Sequence, residues 1–180
     1  MRRVRYQVAM SLDGYIAGPG GESDWIVMDP EIDFQALTRG FDTLLMGRNT
    51  FAPFAGMRGK GGPFAGMRIV VVSSTLEQRD HPGVTVVRDD LEASLGALKR
   101  EEGKDIWLFG GGGLFRSLLG MGIVDTVEVA IIPVLLGEGV PLLPSPASQA
   151  GLTLMDHRVY SKTGTVSLVY AVDPKPHPVT

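Results

Sequence analysis

Apolar residues recur along this chain in two rhythms, one suited to strands and one to helices. Val4 to Met10 is a short apolar-rich run closed by Ser11, Asp13 and Gly14, which predicts a strand ending in a turn. Thr43 to Met46 predicts a second strand, with Gly47-Arg48-Asn49-Thr50 opening a short helix directly after it. Arg68 to Val72 predicts a β-branched third strand ending at Ser73-Ser74-Thr75, and Val84 to Val87 a fourth. Asp105 to Phe109 predicts a fifth, which exits through Gly110-Gly111-Gly112-Gly113 into a helix beginning at Leu114. Asp125 to Ile132 predicts a sixth, and Leu152 to Tyr160 and Thr165 to Val172 a closing pair around the turn at 161–164.

Helical spacing appears between these runs. Leu91, Leu95 and Leu98 define a helix over about Asp90 to Glu101. Asp29 followed by Pro30 reads as an N-cap and first helical residue, predicting a helix to Arg39 with Gly40 as its stop. Strands alternating with helices imply an α/β fold with a mostly parallel central sheet, helices on both faces and a C-terminal antiparallel edge hairpin. The hexapeptide Pro53-Phe54-Ala55-Gly56-Met57-Arg58 recurs as Pro63 to Arg68, too short a period for a solenoid. The glycines between the copies suggest a lengthened surface loop, either structurally neutral or a flap over a ligand.

At 180 residues the chain suits a single domain, with a flexible tail expected over 173–180. A net charge of −3 with both signs scattered leaves no basic stripe for nucleic acid. The absence of cysteine excludes disulfides, thiolate catalysis and thiolate metal sites. No signal-peptide pattern and no apolar run of about 18 residues is present, so the expectation is a cytoplasmic protein without a membrane role.

Three strand ends carry candidate chemistry. The glycine run between a strand and a helix either relieves a tight turn or lets a phosphate approach bare amides at a helix N-terminus. It matches neither the Rossmann nor the P-loop fingerprint. Arg48, Asn49 and Thr50 add a cation and two hydrogen-bonding side chains, which suit a pyrophosphate or a 2′-phosphate. Ser73, Ser74 and Thr75 supply hydroxyls at another strand end, where ligands of open α/β sheets bind. Together these favour a phosphate-bearing ligand. The acids Asp24, Asp29, Glu31 and Asp33 cluster near Trp25, although Trp25 suits a core and Asp29 a helix cap equally well. The three histidines lie at a proline turn, an edge strand and a Pro-rich tail, so neither a Ser-His-Asp site nor a metal site is indicated.

The segments Ser11-Leu12-Asp13-Gly14-Tyr15-Ile16-Ala17, Leu45-Met46-Gly47-Arg48-Asn49-Thr50-Phe51 and Val71-Val72-Ser73-Ser74, followed by the glycine turn, occur in the order found in dihydrofolate reductases. The chain resembles that superfamily over nearly its whole length. It is most similar to stand-alone proteins related to the C-terminal reductase domain of bacterial riboflavin-biosynthesis deaminase-reductases, through Gly21 to Ile26, Val124-Asp125 and Ile132 to Gly139. The resemblance implies a dihydrofolate-reductase-like three-layer fold and NADPH as hydride donor. Gly47, Arg48, Asn49 and Thr50 would hold phosphates, and Ser73 and Ser74 would lie at the adenosine end. Gly110, Gly111, Gly112 and Gly113, with Leu114 and Phe115 after them, would face the pyrophosphate and nicotinamide, with a cis peptide at Gly110-Gly111. Ala9, Ile16 and Ala17 match positions along the nicotinamide ring, and Trp25 matches a gating-loop tryptophan.

By the same resemblance, Asp29, Glu31 and Asp33 compete for the place of the proton-relaying acid. Phe109 stands where riboflavin-pathway reductases carry a substrate-binding glutamate. The expected reaction is hydride transfer to a small planar heterocycle, pteridine- or pyrimidine-like. The alternatives are 5-amino-6-(5-phosphoribosylamino)uracil reduction and an NADP-binding regulatory protein without turnover. Related proteins pair as dimers through the sheet edge, which implies a homodimer here.

Overall fold

A computed structural model describes residues 1–55 and 64–174. Its eight-stranded sheet is built from β1 (Val4–Ser11), β3 (Phe41–Gly47), β4 (Arg68–Val72), β5 (Thr85–Val87), β6 (Asp105–Gly110), β7 (Thr126–Ile132), β9 (Leu152–Tyr160) and β10 (Thr165–Val172). The strand order is β5-β4-β3-β6-β1-β7-β10-β9. The first six strands in that order run parallel, and β10 and β9 close one edge antiparallel. A separate ribbon pairs β2 (Tyr15–Ala17) with β8 (Val140–Pro141). The three-layer, dihydrofolate-reductase-like architecture expected from the sequence is present.

Alternation along the strands sends side chains into two cores. Val4, Tyr6, Leu45, Val70, Ile106 and Leu108 face α3 (Leu91–Arg100) and α4 (Gly112–Gly120), which contribute Leu95, Leu98, Phe115 and Leu118. Leu44, Met46, Val71 and Trp107 face the opposite way, toward Phe51 and Phe54 of α2 (Arg48–Ala55) and Phe34 of α1 (Phe34–Thr38). The central parallel strands are buried on both faces, as parallel sheets require.

Three expectations change. The helix expected from Pro30 to Arg39 is only the five-residue α1, capped by Asp33, whose side chain accepts from the amide of Ala36 at 2.9 Å. Asp29 is not a cap. Its buried carboxylate accepts from the amide and hydroxyl of Thr163, 134 residues away, and tertiary pairing overrides the local signal. The ribbon of β2 and β8 had no strand signal, because two- and three-residue strands show no periodicity. Of the repeated hexapeptides, 56–63 lie outside the described residues. Pro53 to Ala55 end α2, Phe64 packs on the second core, and Arg68 begins β4. Asp173, placed in the expected tail, receives the Thr153 hydroxyl at 2.7 Å, while 175–180 lie outside the described residues.

Candidate functional site

Because β4, β3, β6 and β1 are neighbouring and parallel, their carboxyl ends open on one rim of the sheet. At that rim β6 leaves through Gly110-Gly111, joined by a cis peptide, and enters α4 at Gly112. Gly110 has φ +147°, a backbone region in which side chains are strained. Gly112 is fixed by packing: a Cβ there would stand 2.5 Å from the carbonyl oxygen of Pro141 in β8. A Cβ on Gly113, by contrast, meets nothing within 4 Å. The first-turn amides of α4 therefore combine one walled position with one open to an approaching group.

The second helix start at this rim is α2. Thr50 is the nearest neighbour of both Gly110 and Gly111, at 3.4 and 3.5 Å from their ideal Cβ positions. Arg48 and Asn49 are exposed, and Arg48 Nη1 donates to Thr75 Oγ1 at 3.2 Å, joining the start of α2 to the exit of β4. Ser73 is buried and shapes that exit, since its Oγ accepts from the amides of Thr75 and Leu76. Ser74 and Thr75 stay exposed. Arg88, beyond β5, donates to the Ser74 carbonyl at 2.9 Å and pairs with Glu77. Arg88 had not been singled out in the sequence, although it directly follows a strand, the position that marked the other strand-end residues.

On the β1 side, Ala9 lies in register with Ala130 of β7. Ile16 and Ala17 belong to β2, whose partner β8 covers Gly112, so ribbon and glycine turn meet at one place. The Ser11-Leu12-Asp13-Gly14 segment is a clamp. Asp13 accepts from the Ser11 hydroxyl at 2.6 Å and from the amides of Leu136 and Gly137. The Ser11 hydroxyl bond, then the Gly137 amide, hold the Asp13 carboxyl below the usual carboxylate range. Leu114 and Phe115 follow in α4, with Phe115 stacked on Tyr6 at 4.0 Å in the first core. Phe115 thus supports the turn from beneath.

Residues 2–166 match the model of the RibD C-terminal domain. The chain belongs to that family. It is 32% identical over 179 residues to the uncharacterized protein YyaP of Bacillus subtilis, covering 94% of each chain. Its fold is similar to the crystal structure of a putative riboflavin biosynthesis protein from Shewanella sp. PV-4, with TM-score 0.79, 26% identity, and 97% and 100% of the two chains covered. It is also similar to dihydrofolate reductase from Enterococcus faecalis complexed with NADP(H), with TM-score 0.68, 19% identity, and 96% and 97% covered. The family match and these structures place the chain among RibD C-terminal domains of dihydrofolate-reductase-like fold. No helix among the described residues is long and apolar enough to cross a membrane.

Trp25, expected on a gating loop, and the three acids expected to compete for the proton relay each make a bond of their own. Trp25 is half-buried, with Nε1 donating to the Glu22 carbonyl at 3.1 Å. Burial alone would raise the Asp29 carboxyl, but bonds from the Glu31 amide and from Thr163, with the charge of Lys162, outweigh it and hold the group below its ordinary value. Glu31 is exposed between Arg158 and Lys162 at 3.8 and 3.7 Å, and Asp33 caps α1. Each acid thus has a structural partner.

The face of the sheet under α1 and α2 carries polar residues that sequence reading missed. Arg5 makes a two-pronged bond to the buried Glu128, at 2.6 and 2.8 Å. Gln7, next on that face of β1, has its Oε1 buried without a hydrogen-bond partner among the described residues. Buried polar atoms are rarely left so. These residues sit in strand centres, where polar side chains give no motif to read.

Proposed function

We propose that this protein is an NADPH-dependent reductase that transfers hydride to a small planar heterocycle of pteridine or pyrimidine type. The observation that carries this reading is the meeting of two helix starts at one rim: α4, walled at Gly112 and open at Gly113, beside α2 with Arg48 reaching Thr75. The residues suit a dinucleotide. Amides of α4 and α2 would hold the pyrophosphate, Arg48 and Asn49 a terminal phosphate, and Ser74 and Thr75 the adenosine end. Ala9, Ile16 and Ala17 would border the nicotinamide. When bound, the cofactor supplies the hydride, and the protein orients it and excludes water.

The proton would come from solvent or from the exposed Glu31 or Asp33 rather than from Asp29, which is buried and held by Thr163. Trp25 would shield the site. Phe109 favours an unphosphorylated acceptor over the ribosylaminouracil phosphate: its ring packs against Trp107 at 5.4 Å and offers nothing to bind ribose hydroxyls. The homodimer is part of the same reading. Edge strand β9 is exposed along 152–159, displays Leu152, Leu154, Met155 and Val159, and contains neither Pro nor Lys to block pairing.

Thermal unfolding with each dinucleotide tests the cofactor. NADPH should raise the melting temperature more than NADH does, and equal or absent shifts overturn the assignment. NADPH consumption across dihydropteridines, dihydropyrimidines and quinonoid compounds then tests turnover, and consumption with none of them favours a binding protein.

A further inference from the structure

Phe64 stands inside a cage of other rings. Its ring centre is 6.0 Å from Phe34 of α1, 5.8 Å from Phe54 of α2, and 5.7 and 5.1 Å from Trp107 and Phe109 of β6. Three of these four contacts are edge-on, the arrangement that aromatic quadrupoles favour. The walls belong to the scaffold: Trp107 is 4% exposed and Phe54 8%. Phe64 itself is half-buried and belongs to no helix or strand. It is the removable member of the cluster.

The cage also adjoins the reacting end of the site. Phe109 immediately precedes Gly110-Gly111, and Phe54 follows by one helical turn the Thr50 whose side chain borders both glycines. Gln7 lies on the neighbouring strand and on the same face, since Tyr6 pairs with Leu108 and the Trp107 indole donates to the Gln7 carbonyl at 2.9 Å. Its Oε1, buried without a partner among the described residues, can accept a hydrogen bond.

Resting on the reductase reading, we infer that Phe64 occupies the seat of the acceptor ring. A flat, unphosphorylated heteroaromatic with a ring N–H displaces it, packs against Phe34, Phe54, Trp107 and Phe109, and donates to Gln7 Oε1. Phe64 is thus a built-in competitor that sets which rings are admitted. Aromatic packing selects a planar ring, the orphan amide oxygen selects one carrying a donor, and the apolar walls disfavour a charged substituent.

The test uses lumazine as probe, in a Trp25→Phe background where Trp107 is the remaining tryptophan. By calorimetry without NADPH, Phe64→Ala should bind lumazine about tenfold more tightly, because a competing closed state is removed. Acrylamide should quench Trp107 more strongly in that variant, and saturating lumazine should restore protection. Adding Gln7→Leu should cancel about tenfold of affinity, the worth of one hydrogen bond. If Phe64→Ala does not fold, Phe64→Leu, which keeps the bulk and loses the ring, should show the same direction. Binding no tighter than in the parent, or unchanged quenching, overturns the inference. NADPH melting shifts are read separately. Tighter lumazine binding without any NADPH shift overturns the reductase reading alone, and an NADPH shift without tighter lumazine binding overturns the Phe64 assignment alone.

Discussion

The carboxylate of Asp13, just beyond β1, accepts the backbone amide of Gly137, beyond β7, at 2.7 Å. Two adjacent parallel strands are thereby locked at their site-facing ends. A carboxyl whose folded pKa is depressed adds stability above its unfolded value of about 3.9 and loses it as pH falls through the folded value. Asp13→Asn should therefore melt lower than the parent at neutral pH, and the two curves should converge on acidification below about pH 4. Melting temperature against pH for both proteins checks this.

Arg48→Ala should weaken NADPH about tenfold and NADH much less, because an exposed guanidinium whose one bond among the described residues is to an exposed hydroxyl is available to a phosphate. Titration of both dinucleotides decides the point, and equal losses would move the 2′-phosphate elsewhere, with Arg88 the next residue to replace.

Two neighbouring glycines should respond oppositely. Gly112→Ala forces a methyl to 2.5 Å from the Pro141 carbonyl and should cost folding stability of roughly 1–3 kcal/mol. Gly113→Ala enters open space in a helix and should leave stability unchanged or raise it by about 0.5–1 kcal/mol. The same Gly113→Ala should reduce the NADPH-induced melting shift, since the new methyl stands where the phosphates would approach. Denaturant unfolding with and without NADPH separates the two effects.

Thr163→Val removes the hydroxyl bond to Asp29 while leaving the amide bond. The Asp29 carboxyl should then titrate higher and the loop that carries Trp25 should exchange its amides faster. If Asp29 is a tether and not a proton donor, the pH profile of turnover should keep its midpoint. A midpoint that moved with the substitution would return Asp29 to the chemistry.

Light scattering should give about twice the monomer mass of 19.3 kDa. Met155→Glu with Val159→Glu, placing charge on exposed β9 positions, should give the monomer with its fold intact.

Local signals carried most of the architecture. The closing strands at Leu152–Tyr160 and Thr165–Val172 were legible to the residue, because β-branched and apolar runs end there in turn residues. The helix over Leu91–Arg100 was legible from leucine spacing, and the structure adds the Asp90 carboxylate that caps Ala93. What escaped depends on partners far along the chain. Asp29 looked like a cap until Thr163 claimed it, and the ribbon of β2 and β8 exists only because Gly14 and Leu142 meet. Phe64 was readable only as part of a repeat, since nothing in its own segment announces Trp107 and Phe109 as neighbours.

The Pro141 carbonyl standing over Gly112 makes one part of the rim rigid, while the aromatic cluster at Phe109 is tunable. A backbone carbonyl cannot be shortened or exchanged by substitution, so the spacing between α4 and the ribbon is inherited unchanged by any descendant that keeps the fold. The aromatic cluster around Phe109 is made of side chains, each open to replacement by a single codon. Divergence in such a lineage would proceed through the acceptor while the donor stays the same, and an engineer seeking new chemistry would randomise Phe64 and Phe109 and leave the glycines alone.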